Sequence, residues 1–315
     1  MQLQTKIPIV EQSPKIDYHS NITLLGSCFV ENMGKKFDYF KFSSTLNPFG
    51  ICFHPLVLER AIVNSLNNKT FSEDDVFEHN ERWHCFDAHS MLSNTSKTQL
   101  IENLNSSSNA LRKSLLKASH IILTLGTAWG YVQQNTTAVV SNCHKLPQKN
   151  FKKTLTGVDD VTKSLKSISN AIAAINSEAK IIITVSPVRH IKDGFIENTQ
   201  SKSHLISAVH QTILETANVV YFPSYEIMMD ELRDYRFYNE DMLHPSQAAV
   251  NYIWRRFVDT WLSSSARETL NRVNEIQTGL AHKPFNPKSV AHQKFLDTLD
   301  VKIEKLQSDF PNIKF

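Results

Sequence analysis

Residues 22–28 read Ile-Thr-Leu-Leu-Gly-Ser-Cys, and residues 29–40 continue Phe-Val-Glu-Asn-Met-Gly-Lys-Lys-Phe-Asp-Tyr-Phe. The first stretch is a short apolar run stopped by a glycine, the pattern of a buried strand. The second sets Phe29, Met33, Phe37 and Phe40 at helical spacing, with Glu31 in the first turn. A strand that passes through Gly26 into a helix places Ser27 and Cys28 at a sharp turn on the strand's carboxyl end. There the helix amino-terminus presents unpaired N–H groups to an anion. Two readings stay open at this point. The turn carries a nucleophile, or it is a small-residue turn whose cysteine packs inside, as free cysteines commonly do.

Working outward, three more apolar runs have strand character: Ile121–Leu125, Ile181–Val185 and Val219–Phe222. Between them the period changes to helical. Val161, Leu165, Ile168, Ile172 and Ile175 form one stripe, with Asp159 or Asp160 as its expected cap, and Leu205, Val209 and Ile213 form another over 201–217. Val250, Ile253, Trp254, Phe257 and Trp261 mark a further helix. Buried strands alternating with amphipathic helices predict an α/β domain with a mainly parallel sheet covered on both faces.

Two segments interrupt the alternation. Residues 70–90, with Asn80-Glu81 between aromatic-rich runs, predict an inserted hairpin or ordered loop. Residues 129–143 predict a second hairpin, pairing Tyr131-Val132 with Val139-Val140 around a polar turn. From residue 265 the chain is polar and helical, is broken by Pro284 and Pro287, and ends in a helix with Phe295, Leu299, Ile303 and Leu306 in register. The expected organisation is one domain over 20–264 and a helical C-terminal extension over 265–315, the latter an appendage or an oligomer contact.

Composition narrows the function classes. With 34 basic and 31 acidic residues and no Lys/Arg block, the chain lacks the electrostatic footprint of a nucleic-acid binder. No apolar run approaches a membrane span, and the first residues lack the apolar core of a signal peptide, so a cytoplasmic location is expected. Cys28, Cys52, Cys85 and Cys143 show no paired spacing and read as free thiols. The 13 histidines show no metal-ligand spacing, so neither metal nor cofactor is expected. No G-x-G-x-x-G follows the first strand, which argues against a nicotinamide enzyme.

In open parallel sheets, ligands bind beyond the carboxyl ends of the strands. The exits here are Gly26-Ser27-Cys28, Gly126-Thr127-Ala128-Trp129, Ser186-Pro187-Val188-Arg189-His190 and Ser224-Tyr225. Ahead of the 246–262 helix stands Asp241-Met242-Leu243-His244. Three residues apart, the carboxylate can bond one imidazole nitrogen and leave the other free as a base. The competing reading makes Asp241 the helix cap and His244 incidental. Arg189 suits a substrate carboxylate or phosphate, or else a surface ion pair. Lys145 and Lys202 read as solvated charges, and the Trp83–His89 aromatic cluster as a lid or as packing for the insertion.

The decapeptide from Leu25 to Gly34 resembles the signature of the GSCFA family, with Val30 where the signature has alanine. Asn47-Pro48-Phe49-Gly50, Leu125–Trp129, Asn142-Cys143-His144-Lys145, Ser186–His190 and Arg236–Ser246 resemble the family as well, so the likeness spans about 20–250. The resemblance implies a place among SGNH/GDSL-like hydrolases, which are flavodoxin-like three-layer sandwiches with a Ser–His–Asp arrangement. It implies Asp241 as orienter, His244 as general base, and Gly50, following Asn47, as a backbone donor to an oxyanion. The superfamily's third motif supplies an Asn after a Gly. Here Gly126 is followed by Thr127, so Asn47 or the backbone after Gly126 has to substitute. Aligning Gly26 with the Gly of Gly-Asp-Ser puts Cys28 at the nucleophile's place and Ser27 at that of Asp. Ser27 takes the role only if the turn is shifted by one residue. A helix amino-terminus and a nearby imidazolium both lower a thiol's pKa, so an activated Cys28 is expected. His144, Arg189 and His190 are expected to line the pocket.

The expected activity is hydrolysis of an ester or thioester through a covalent acyl intermediate, the substrate being a small-molecule or carbohydrate ester, acyl-CoA included. Acyl transfer to a sugar or alcohol at the same site, and a binding protein that keeps the fold without catalysis, are the alternatives.

Overall fold

A computed structural model describes residues 4–134 and 136–315. The chain opens with β1 (Asn21–Gly26), α1 (Cys28–Tyr39), β2 (Ser43–Leu46) and α2 (Pro55–Leu66). A hairpin of β3 (Phe77–His79) and β4 (Arg82–His84) precedes α3 (Lys97–Lys117) and β5 (His120–Leu125). A second hairpin, β6 (Trp129–Gln133) and β7 (Phe151–Leu155), leads to α4 (Val158–Ala173), β8 (Lys180–Val185), α5 (Phe195–Glu215) and β9 (Val219–Tyr221). The short α6 (Ser224–Glu226), then α7 (Gln247–Trp261), α8 (Ser264–Leu280) and α9 (Val290–Asp309) complete the chain.

Five strands form a parallel sheet in the order β2-β1-β5-β8-β9, a flavodoxin-like arrangement. Its central strands are apolar without alternation because both faces are buried. Ile121, Leu123 and Leu125 point into one core with α2, α3, α4 and α5, while Ile122 points into the other with α1, α7, α8 and α9. Ile181, Ile183 and Val185 divide from Ile182 in the same way. The result is the expected three-layer sandwich. The C-terminal helices are part of it, since Val273, Ile276, Leu299 and Leu306 are buried in the α1/α7 core.

Order reversal at β1 puts a crevice at its carboxyl end. The chain leaves β1 through α1 toward β2, and returns through α2 and α3 to β5 on the opposite flank. Gly26 makes the tight exit possible. It has φ +138°, and a Cβ there would lie 2.2 Å from the Thr124 carbonyl oxygen of β5. α1 is held by aromatic packing, Phe37 meeting Trp254 of α7 edge-on at 5.0 Å between centroids. Each such buried aromatic contributes roughly 1.5–3 kcal/mol.

Several local expectations are corrected. β6 pairs along its length with β7, and Val139 makes only an isolated bridge to Val132. Asn135, in the expected turn of that hairpin, lies outside the described residues. Gly157, not an aspartate, caps α4, with Asp159 and Asp160 in its first turn, where they complement the helix dipole. The β3–β4 turn falls at Asn80-Glu81, both with positive φ, as the sequence predicts.

Candidate active site

At the β1 exit the two candidate nucleophiles differ in access. Ser27 is fully buried. Its hydroxyl accepts the Phe29 N–H at 3.3 Å and caps α1. Cys28 is the first residue of the helix and is partly exposed. Its thiol is pushed up from the ordinary cysteine value, chiefly by burial and then by Glu31. Lys202 and the N–H groups of Cys28 and Phe29 pull the other way. An activated thiolate was the expectation. It is overturned because desolvation outweighs the helix terminus.

The Asp241–His244 pair is formed. Asp241 Oδ2 lies 2.6 Å from His244 Nδ1, and Oδ1 accepts the N–H groups of Leu243 at 2.9 Å and His244 at 3.0 Å. These backbone donors, then the imidazole, hold the carboxyl down at about 2. Met242, in the left-handed region at φ 58°, makes the turn that brings the two side chains together. The capping alternative fails, since Ser246 caps α7 by accepting the Ala249 N–H. The Arg189 N–H donates to the Leu243 carbonyl at 3.2 Å, which ties this loop to the β8 exit.

Lys202 is the residue that sequence reasoning missed. It is buried, not solvated, and its Nζ donates to the Gly126 and Ser186 carbonyls, both at 2.7 Å. Burial brings the ammonium down to about 7, opposed by Cys28 and assisted by Arg189. Its signal was helical phase: Lys202 stands three residues before Leu205 and seven before Val209, on the buried stripe of α5.

His190 sits beside it. Burial, then the charges of Lys202 and His244, push its imidazole down to about 3, so it is neutral. Its Nε2 is buried without a hydrogen bond, and its ring packs on Phe53 at 5.7 Å. Gly126 has to be glycine, since a Cβ would fall 2.7 Å from Phe53 Cβ and 3.3 Å from His190 Nε2. Arg189 has no carboxylate partner among the described residues. Its Nη1 points at the Met229 sulfur, and its charge reaches Tyr225 and Tyr238.

The remaining candidates are structural in this geometry. Asn47 braces the β1 exit, its Oδ1 accepting the Gly26 N–H at 2.9 Å. The Gly50 N–H is spent on the Asn47 carbonyl at 2.7 Å, so it is not available to an oxyanion. Thr127 Oγ1 pairs with Ser201 and accepts the Trp129 N–H. His144 is buried in the insertion, bonded to the Cys85 carbonyl at 2.8 Å and packed against the tilted His84 ring at 4.7 Å between centroids. The 83–89 cluster packs the insertion, anchored by an Asp87–Arg60 ion pair at 2.7 Å.

A cavity of about 680 Å³ opens beside these residues. Phe53, Trp129, Tyr131 and Phe151 supply apolar wall, His190 is shared with the group around Gly126 and Lys202, and Lys192 stands among the lining groups. Cys28, Asp241 and His244 do not line it. Among the described residues no three His, Cys, Asp or Glu converge to hold a metal ion, and no helix is long and apolar enough to cross a membrane.

The GSCFA family model matches residues 21–257. The chain belongs to the GSCFA family. Its matched region runs from β1 into α7 and contains the Gly26-Ser27-Cys28 turn, Lys202 and the Asp241–His244 pair. A second model, the GSCFA domain protein C-terminal domain, matches residues 273–315, from within α8 through α9. No curated protein matches the chain.

Proposed function

We propose that this GSCFA protein is an SGNH-type acyl hydrolase that cleaves an ester or thioester, with Cys28 as nucleophile, His244 as general base and Asp241 as orienter. The observation that carries the reading is the Asp241–His244 pair. The carboxylate is fixed by two backbone N–H groups, bonded to Nδ1, and free of any duty as a helix cap. It therefore selects the tautomer that leaves Nε2 as acceptor.

In the free protein the Cys28 thiol is neutral at neutral pH, so attack and proton removal go together. His244 Nε2 takes the thiol proton as Sγ bonds to the acyl carbon. The tetrahedral oxyanion is held by the Cys28 N–H at the start of α1. Collapse breaks the bond to the leaving oxygen or sulfur, which receives the proton from His244. Water, deprotonated by the same imidazole, then attacks the thioester and releases the acid and the thiol. The cavity beside His190 is large enough for an alcohol acceptor, an observation that favours acyl transfer as the second reading.

The test is hydrolysis of 4-nitrophenyl acetate and acetyl-CoA by wild type, Cys28→Ala, Ser27→Ala and His244→Ala. Cys28→Ala is expected to abolish turnover, His244→Ala to reduce it about 10²–10⁴-fold, and Ser27→Ala to retain it. Full activity in Cys28→Ala, alongside loss in His244→Ala, would exclude Cys28 as nucleophile.

A further inference from the structure

We propose that the cavity against the β6–β7 hairpin is a binding site for a ring-bearing phosphate monoester, its ring on the aromatic wall and its phosphate drawn to Lys145 and Lys192. The proposal goes beyond the acyl-hydrolase reading and does not rest on it, since Cys28, Asp241 and His244 stand outside this cavity.

The hairpin builds the wall. In its antiparallel register Tyr131 lies opposite Lys153 and Gln133 opposite Phe151, so strand alternation sets Trp129, Tyr131, Phe151 and Lys153 on one face. Phe53, from the loop before α2, adds a fourth ring. Val57, Val139 and Val140 are buried and give the cavity an apolar interior. At about 680 Å³ the space falls within the roughly 300–1,000 Å³ of small-molecule sites.

The charges are on the solvent side. Lys145 and Lys192 line the cavity and are exposed. Asp193 is the one acid among the described lining residues, and it is committed to Lys153 at 2.6 Å. Lys153 in turn lies over the Trp129 ring, 4.8 Å from its centre. Lys145 and Lys192 have no carboxylate partner among the described residues. The lining His54, His89 and His190 are held below the ordinary imidazole value by burial and add no charge at neutral pH. Two positive charges are therefore left uncompensated beside an aromatic wall. They match a dianion, which a phosphate monoester is above its second pKa of about 6, and a carboxylate is not.

Both lysines project from anchored backbone. His144, before Lys145, is fixed to the Cys85 carbonyl at 2.8 Å, and Asp193, after Lys192, is fixed to the hairpin through Lys153. Each anchor limits what binding has to order.

The experiment is calorimetric titration of the full chain at about pH 8, where the monoester is a dianion. The ligands are 1-naphthyl phosphate, 1-naphthoate, 1-naphthol and inorganic phosphate. 1-Naphthyl phosphate should bind one-to-one and at least about tenfold more tightly than 1-naphthol or inorganic phosphate, with 1-naphthoate in between. The double variant Lys145→Gln/Lys192→Gln changes two exposed residues without ion pairs and keeps the fold. It should weaken 1-naphthyl phosphate about tenfold and leave 1-naphthol unchanged. Binding of 1-naphthyl phosphate no tighter than 1-naphthol overturns the proposal, as does inorganic phosphate binding equally well. So does 1-naphthoate matching the phosphate, or an unmoved affinity in the double variant. No readout involves turnover, so a failed esterase assay and a failed titration are separate results.

Discussion

Gly26→Ala is the substitution that should most damage the site without touching its chemistry. The new Cβ would sit 2.2 Å from the Thr124 carbonyl oxygen, 2.8 Å from its nitrogen and 2.9 Å from its carbonyl carbon, all backbone of the neighbouring strand. No side-chain rotation relieves a clash with a central strand, so β1 must part from β5 by about an ångström. The φ of +138° adds strain of about 1–3 kcal/mol for an L residue. Parting the strands also stretches the bond from the Ser27 N–H to the Thr124 carbonyl, 3.1 Å long, at a cost of about 1 kcal/mol. With crowding of about 1 kcal/mol at the low end for an overpacked core, the loss is about 3–5 kcal/mol. Against a total stability of about 5–15 kcal/mol, that is a large fraction. Urea unfolding followed by tryptophan fluorescence should show the midpoint falling at unchanged slope, and calorimetry a Tm lower by roughly 5–8 °C. A loss below about 1 kcal/mol would refute the reasoning, because it would mean that β1 leaves the sheet by a different path.

Three further outcomes follow from the same geometry. Ser27→Ala removes the α1 cap and should cost about 1 kcal/mol in urea unfolding while the Cys28 alkylation rate stays within twofold of wild type. His54, His144 and His190 are held by burial at about 4, 4 and 3, below the unfolded value of 6.5. As pH falls through 6.5 the unfolded chain takes up protons that the folded chain refuses, so the urea midpoint should fall steadily from pH 7 to pH 4, and His54→Gln should flatten the slope. Ser141→Trp fills part of the cavity and should raise KM for a bulky alcohol acceptor in acyl transfer, leaving Cys28 alkylation by iodoacetamide unchanged.

The parts of the fold legible in the sequence were those with one dominant physical signal. β1, β5, β8 and β9 carry consecutive apolar residues because helices cover both faces, and α7 shows an apolar stripe rich in aromatics. β2 has no such signal: Ser43 and Ser44 are exposed on the sheet edge, and the strand is held by pairing with β1. α3 is also quiet, since its buried stripe of Leu100, Leu104, Leu111 and Leu115 is interrupted by Ser108. β7 carries Lys152 and Lys153, which suppress its strand character although it pairs fully with β6.

At the site, the Asp241–His244 spacing translated directly into contact because both residues lie in one turn. Residues that act across the fold were harder. Lys202 becomes visible only when its helical phase is compared with Leu205 and Val209, and its partners Gly126 and Ser186 lie on two other elements. The direction of the Cys28 shift depends on how deeply the β1 exit is buried, a tertiary property with no local signature. His144 misled for the opposite reason: a histidine beside a cysteine in a loop looks like chemistry, but this one fills the insertion's interior.

The most direct test of the central claim is trapping of the acyl intermediate. Brief reaction with 4-nitrophenyl acetate, acid quench and peptide mass mapping should place one acetyl group on Cys28 in the wild-type chain, formed more slowly in His244→Ala and absent in Cys28→Ala. An acetyl group on Ser27, or turnover with Cys28 unmodified throughout, would contradict the account.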